Sequence, residues 1–184
     1  MNPPGVIRKA IPTDACDIAS VRVTSWQKAY RGIISDGYLD SLHPSQDEAH
    51  WRESIAAGRP LIIVTEADGE VMGFSAFGPS RDDGAPPGTC EIWAIYVSPP
   101  HWSKGVGRQL CQESLRQLTD LGMSTVGLWV LTGNARARRF YVAAGFEQKA
   151  NSKKTFELSG AKLEEILYSR HSGKPRSDVP RSHG

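Results

Sequence analysis

Residues 61–77, LIIVTEADGEVMGFSAF, restrict the fold more than any other stretch of this chain. Two apolar segments rich in β-branched and aromatic residues flank Asp68-Gly69, a pair suited to the left-handed conformations of a two-residue hairpin turn. An antiparallel strand pair is therefore expected here. The loop-like GPSRDDGAPPG follows, and TCEIWAIYV then reads as a third strand stopped by Pro99-Pro100.

Upstream of Pro60 the apolar period is helical. After a short strand at Val6–Ala10, Pro12 and Asp14 open a helix whose Ile18, Val21, Val23, Trp26 and Tyr30 recur at near-helical spacing. Ser35-Asp36 starts a second, short helix, and HPSQDEAHWRESIAAG predicts a third that stops at Gly58. Downstream, Val106, Leu110, Cys111, Leu115, Leu118 and Leu121 form a helical stripe ended by Gly122. TVGLWVL reads as a strand, Asn134 to Gly145 as a helix, and FEQKA, TFELSG and KLEEILYSR as closing strands. The order predicts an α/β fold with a mixed sheet, in one domain spanning 1–170. The stretch from 171 to 184, HSGKPRSDVPRSHG, lacks an apolar period and is expected to be disordered.

Composition excludes some classes. No apolar run approaches the roughly 20 residues needed to span a bilayer, so no membrane partner is expected. The start MNPPGVIRKA lacks a secretory pattern, and a cytoplasmic location is expected. Cys16, Cys90 and Cys111 contain no CxxC, so disulfides are not expected, and His43, His50 and His101 lie at no metal-ligand spacing. The net charge of +2 hides a polarity: residues 1–100 carry 8 Lys/Arg against 13 Asp/Glu, and residues 101–184 carry 14 against 7. The basic half suits a polyanion or phosphorylated cofactor, the acidic half a cationic partner; a solvated surface of accidental asymmetry accounts for both equally well. The cations are spread without interleaved aromatics, so nucleic acid is not an expected partner.

The turn SKGVGRQL, residues 103–110, opens a helix on Gly105 and Gly107 with Lys104 and Arg108 beside them. Free first-turn amides and the helix dipole make such a start an anion site, although a tight connection with solvated cations would read the same. The dinucleotide pattern GxGxxG fails at Leu110, and GxxxxGK[ST] is absent. The wider stretch CEIWAIYVSPPHWSKGVGRQLCQESL resembles motif A of the GCN5-related N-acetyltransferases (GNAT), with Trp102 where the family carries Arg or Gln. LWVLTGNARARRFYVAAGF resembles their motif B, and residues 6–30 their N-terminal strand and substrate-side helices.

The resemblance implies a central, mostly antiparallel twisted sheet with helices on both faces and a V-shaped cleft for acetyl-CoA. It implies a diphosphate held by Trp102, Ser103, Lys104, Gly105, Val106, Gly107 and Arg108, and a pantetheine arm along the main chain of Ile95, Tyr96 and Val97. It implies Asn134 near that arm and Tyr141 beside the sulfur as proton donor. Asn134, Arg138 and Tyr141 lie at i, i+4 and i+7, so Arg138 joins the expected cofactor set. From spacing alone Tyr141 reads as a core aromatic beside Phe140, and it is the resemblance that moves it to the sulfur.

An amine of ordinary pKa near 10.4 is only about 0.1% neutral at physiological pH, so a base is useful. Glu91 is the candidate; alternation puts it on the side of Trp93, Ile95 and Val97, and a solvent-facing charge at the strand start is the other reading. Arg136 and Arg139 are candidates for the cofactor's ribose phosphate or for solvent, with solvent expected; Trp26 and Tyr30 belong to the region that in the family shapes the acceptor pocket, while their i, i+4 spacing reads as core. The implied activity is transfer of an acetyl group from acetyl-CoA to a primary amine, of a small molecule or a protein, by direct attack in a ternary complex. A catalytically silent acyl-CoA sensor is the alternative, and the family makes a homodimer plausible.

Overall fold

The computed structural model describes residues 5–171. Strand β1 (Val6–Lys9) leads through a helical turn at Pro12–Asp14 into α1 (Ala15–Ala29), followed by α2 (Asp36–Asp40) and α3 (Pro44–Ala57). Pro44 sits in the first turn of α3, where a missing N–H costs nothing, and Gly58 ends the helix at φ 65°. The hairpin β2 (Leu61–Ala67) and β3 (Glu70–Pro79) closes on Asp68 and Gly69, both at positive φ as that turn demands. Then come β4 (Thr89–Val97), α4 (Val106–Asp120), β5 (Thr125–Leu131), α5 (Ala135–Ala143), β6 (Glu147–Gln148), β7 (Lys154–Leu158) and β8 (Ala161–His171). His171 thus ends a strand instead of opening the tail, and residues 172–184 lie outside the described part of the chain.

The strands form one sheet in the order β1-β2-β3-β4-β5-β8-β6, with β7 also on β8. Every pairing is antiparallel except β4 with β5. Helices cover both faces. On one, Leu110, Cys111 and Leu118 of α4 and Tyr141 of α5 pack with Phe77, Ile92, Val126, Leu128 and Ile166. On the other, Ile18, Ala19 and Val21 of α1 and Trp51 and Ile55 of α3 pack with Ile62, Val64 and Phe74. At about 25 cal/mol per Å² of apolar surface removed from water, these two layers are the main source of cohesion. Among the described residues no helix is long and apolar enough to cross a membrane.

Two irregularities open the sheet. Ala76 pairs with Ala94 but Phe77 with Ile92, so Trp93 is an extra residue in β4, a β-bulge. The parallel β4–β5 ladder then runs only from Thr89↔Thr125 to Glu91↔Gly127. Beyond it the two strands separate, and their unpaired edges form the walls of a cleft.

Candidate active site

The bulge resets the alternation of β4. Cys90, Ile92, Ile95 and Val97 belong to the α4 face, while Trp93, Ala94 and Tyr96 belong to the α1 face. The Ser98 N–H donates to Met72 O at 2.8 Å, which assigns the main chain of 94, 96 and 98 to β3 and turns that of Ile95 and Val97 toward the cleft. Tyr96 was expected to offer main-chain groups there; those are spent on β3, and it reaches the cleft by its ring.

The cleft encloses about 510 Å³ between β4 and β5. At one end lies the turn before α4. Ser103 and Gly105 both adopt positive φ, 61° and 89°, and no side chain caps the helix. The amide of Gln109 is the first to bond back, to Gly105 O at 3.0 Å, which leaves the amides of residues 106–108 as the free donors of the first turn. No acidic residue stands in that turn. Ser103, Gly105, Gly107 and Arg108 line the cleft, whereas Lys104 is exposed outside it and Val106 is buried in the core. These free amides, with Arg108 beside them, fit a diphosphate.

Trp102 braces the same turn. Its indole N–H donates to Val97 O at 2.6 Å, and the Arg136 guanidinium lies 3.7 Å from its ring centroid. Arg136, a candidate for the cofactor's ribose phosphate or for solvent, stacks on Trp102 and lines the cleft while remaining exposed, which places a second cation there; Arg139 is exposed as expected. Arg138 turns the other way. Its guanidinium donates to the Tyr168 hydroxyl at 3.1 Å, Thr132 O and Gln148, and it does not line the cleft, so its expected cofactor role is corrected to a tie between α5 and β8.

Asn134 and Tyr141 both face the cleft. The Asn134 carbonyl caps α5 by accepting from the Ala137 N–H at 3.0 Å. Tyr141 is 9% exposed, wedged edge-on between Phe140 and Phe146. Burial, with Cys111 and Tyr96 as neighbours, holds its phenol well above the ordinary value, so it stays protonated. Burial, with Tyr96 and Tyr141 as neighbours, does the same for Tyr30. Trp26 and Tyr30 pack against the buried cluster of Ile34, Leu39 and Leu163, as their spacing predicts, and also line the cleft.

Glu91 is the principal correction. It is 2% exposed and absent from the cleft lining. One carboxylate oxygen accepts the Arg81 N–H at 2.9 Å and the other is held by the Arg81 guanidinium, which also lies over Trp93. The bulge is the cause, since it separates Glu91 from the face of Ile95 and Val97. The carboxylate that does line the cleft, Glu165 of β8, carried no motif in the sequence. No cysteine lines the cleft. Cys90 and Cys111 are buried thiols pushed up to about 11, and Cys16 is exposed elsewhere on α1.

Residues 23–146 match the acetyltransferase (GNAT) family. This chain belongs to that family. It is 33% identical over 165 residues to an uncharacterized N-acetyltransferase, YuaI, of Bacillus subtilis (strain 168), covering 87% of this chain and 89% of that one. In fold it is similar to the PaiA N-acetyltransferase of Thermoplasma acidophilum in complex with coenzyme A, with a TM-score of 0.71, 21% identity, and 91% and 98% of the two chains covered. It is likewise similar to the structure of YncA of Salmonella typhimurium with its cofactor acetyl-CoA, at a TM-score of 0.69, 22% identity, and 94% and 98% coverage. The GNAT chain is an N-acetyltransferase by these relationships.

Proposed function

We propose that this GNAT protein binds acetyl-CoA in the β4–β5 cleft and passes the acetyl group directly to a primary amine held in the same cleft. One observation carries the reading: a single opening joins an amide-rich helix start at one end to a buried, protonated Tyr141, with no cysteine in its walls.

The amides of residues 106–108, with Arg108 and Arg136, hold the diphosphate. The exposed main-chain edge at Ile95 and Val97 aligns the pantetheine arm, with the Val97 carbonyl already engaged by Trp102. The thioester supplies an activated acyl group, so alignment and charge management are the remaining tasks.

The amine nitrogen attacks the thioester carbonyl, a C–N bond forms, and the C–S bond breaks. Tyr141 donates a hydrogen bond to the sulfur as negative charge gathers on it. Burial raises both this phenol and the neighbouring Cys111 thiol, the phenol the more, so Tyr141 keeps its proton in the hydrogen bond and passes it to the sulfur only as the proton leaving the amine nitrogen replaces it. Neither buried cysteine offers a thiolate for an acyl-enzyme route.

The test is release of free thiol from acetyl-CoA across an amine library, with mass spectrometry of the products. Intersecting initial-velocity lines are expected for a ternary complex. Parallel lines would replace direct attack with an acyl-enzyme, and no acetylated product from any amine would overturn the reading.

A further inference from the structure

The cleft contains a carboxylate that makes no ion pair among the described residues. Three acidic side chains are close enough to influence one another here, and of these only Glu165 lines the cleft. Glu91 is consumed by Arg81. Asp82 accepts from the Trp129 indole N–H at 3.0 Å and is ion-paired with Lys154. Glu165 lines the cleft, half-buried, with neither an ion pair nor a side-chain hydrogen bond among the described residues.

Its place is fixed by register. Glu165 lies opposite Leu131 of β5 and opposite Lys154 of β7, and two residues before it Leu163 lies opposite Phe156. Directly opposed residues share a face, as do alternate residues along a strand, so Trp129 is on this face as well. Trp129, Leu131, Phe156 and Leu163 all line the cleft. An unpaired carboxylate in such surroundings carries a desolvation cost that a cation would offset.

Resting on the acetyltransferase reading, we propose that Glu165 receives the acceptor: it holds the ammonium of a primary amine carried on a flat apolar body, and takes its proton before attack. The walls set the body. Two cations set the limit on charge, because Arg81 already lies over Trp93 and Lys154 over Trp129, 4.9 and 4.0 Å from the ring centroids. A second ammonium would meet them without a free carboxylate, so polyamines are disfavoured and monoamines accepted.

The proton inventory closes. The ammonium gives one proton to Glu165, and the neutral amine attacks. The nitrogen loses its second proton as the C–S bond breaks, restoring the proton that Tyr141 gives to the departing sulfur. Glu165 then returns its proton to solvent, and the net products are the amide, the free thiol and one proton. Burial raises the Glu165 carboxyl above its ordinary value; Lys154 of β7 and Arg81 of the β3–β4 loop pull it down, and Glu91 of β4 and Asp82 push it up. The cleft-lining side chains nearest it on β5, Trp129 and Leu131, and Trp26 on α1, carry no charge.

The experiment uses phenethylamine and spermidine with the full chain. Calorimetry on the coenzyme A complex is expected to show phenethylamine binding at least about tenfold tighter than spermidine, and Glu165→Gln is expected to weaken it about 10–100-fold, the value of a charge-assisted hydrogen bond, with coenzyme A affinity unchanged. With acetyl-CoA, the acid limb of the kcat/KM profile should vanish in Glu165→Gln and survive in Glu165→Asp, a pattern that a packing defect would not give. Phenethylamine binding unchanged by Glu165→Gln, no phenethylamine binding at all, or tighter spermidine binding would each overturn the inference. An acid limb retained in Glu165→Gln would remove the proton-accepting role. Glu165-dependent phenethylamine binding without acetylated product would instead sink the transfer reaction and leave the amine site standing.

Discussion

The Trp102 indole N–H donates to the Val97 carbonyl, at 2.6 Å, from the far side of the Pro99–His101 turn. This bond ties the cleft-facing edge of β4 to the loop that opens α4, and Arg136 of α5 covers the outer face of the same ring. Three elements that border the cofactor end are thereby clamped by one side chain. A residue that departs from the family's Arg or Gln therefore contributes by bracing the turn.

Replacing it should separate bracing from binding. Trp102→Ala removes a neutral hydrogen bond and a cation–π contact, together about 1–2.5 kcal/mol. Coenzyme A affinity, measured by calorimetry, should fall about 5–70-fold. Trp102→Phe keeps a ring under Arg136 and should lose less. Affinity unchanged in Trp102→Ala would show that the turn holds its shape unaided.

Tyr141→Phe retains the ring packed on Phe140 and Phe146 and deletes only the hydroxyl. Turnover should fall about 10²–10⁴-fold, the usual contribution of a positioned proton donor, with coenzyme A affinity within about twofold. Because burial raises the Tyr141 phenol, its protonated form persists through the ordinary phenol range. The wild-type rate should therefore show no alkaline loss near pH 10 that Tyr141→Phe abolishes; a loss of that kind would place the phenol in a solvated site.

Glu91→Gln tests the buried pair with Arg81. The carboxylate lies under Arg81 and outside the cleft, so the pH dependence of turnover should be unchanged while stability drops by roughly 1–3 kcal/mol, the cost of weakening a buried hydrogen-bonded pair. Thermal unfolding and a kcat/KM profile measured together decide between the two roles. An acid limb lost in Glu91→Gln, at unchanged melting temperature, would return the base assignment to Glu91.

The contrast between Glu91 and Glu165 shows where a sequence is legible. Local signals survived intact: Asp68-Gly69 makes the hairpin, Gly58 ends α3, and Asn134 and Tyr141 both reach the cleft. Glu91 was misplaced because Trp93 bulges out of β4, and nothing in TCEIWAIYV marks the extra residue. Glu165 was invisible because its surroundings come from β5 and β7 through strand pairing, which periodicity within KLEEILYSR does not encode. Arg138 left the cofactor set, and Arg136 came to line the cleft, for a related reason. A shared helix face fixes Cα positions, and the long guanidinium arms then follow whichever partner tertiary packing offers, Trp102 for one and Tyr168 for the other.

The N-terminal strand depends on a charge cluster that pH should expose. Arg8 donates to Asp14 at 2.7 and 2.9 Å and to Glu66 at 2.7 Å, and the Ile11 N–H donates to Asp14 at 2.8 Å. Burial raises the Asp14 carboxyl, but Arg8 and the Ile11 amide more than reverse this and hold it below its ordinary value. A carboxyl depressed in the folded state stabilises the fold fully above its unfolded pKa near 4, and that contribution is lost as pH falls through the lower folded value. Melting temperature should therefore decline on acidification below about pH 4, and Asp14→Asn should be less stable than wild type at pH 7 yet show a flatter acid decline. Parallel melting curves for the two proteins between pH 7 and pH 2 would mean that Arg8 draws its anchoring from Glu66 alone.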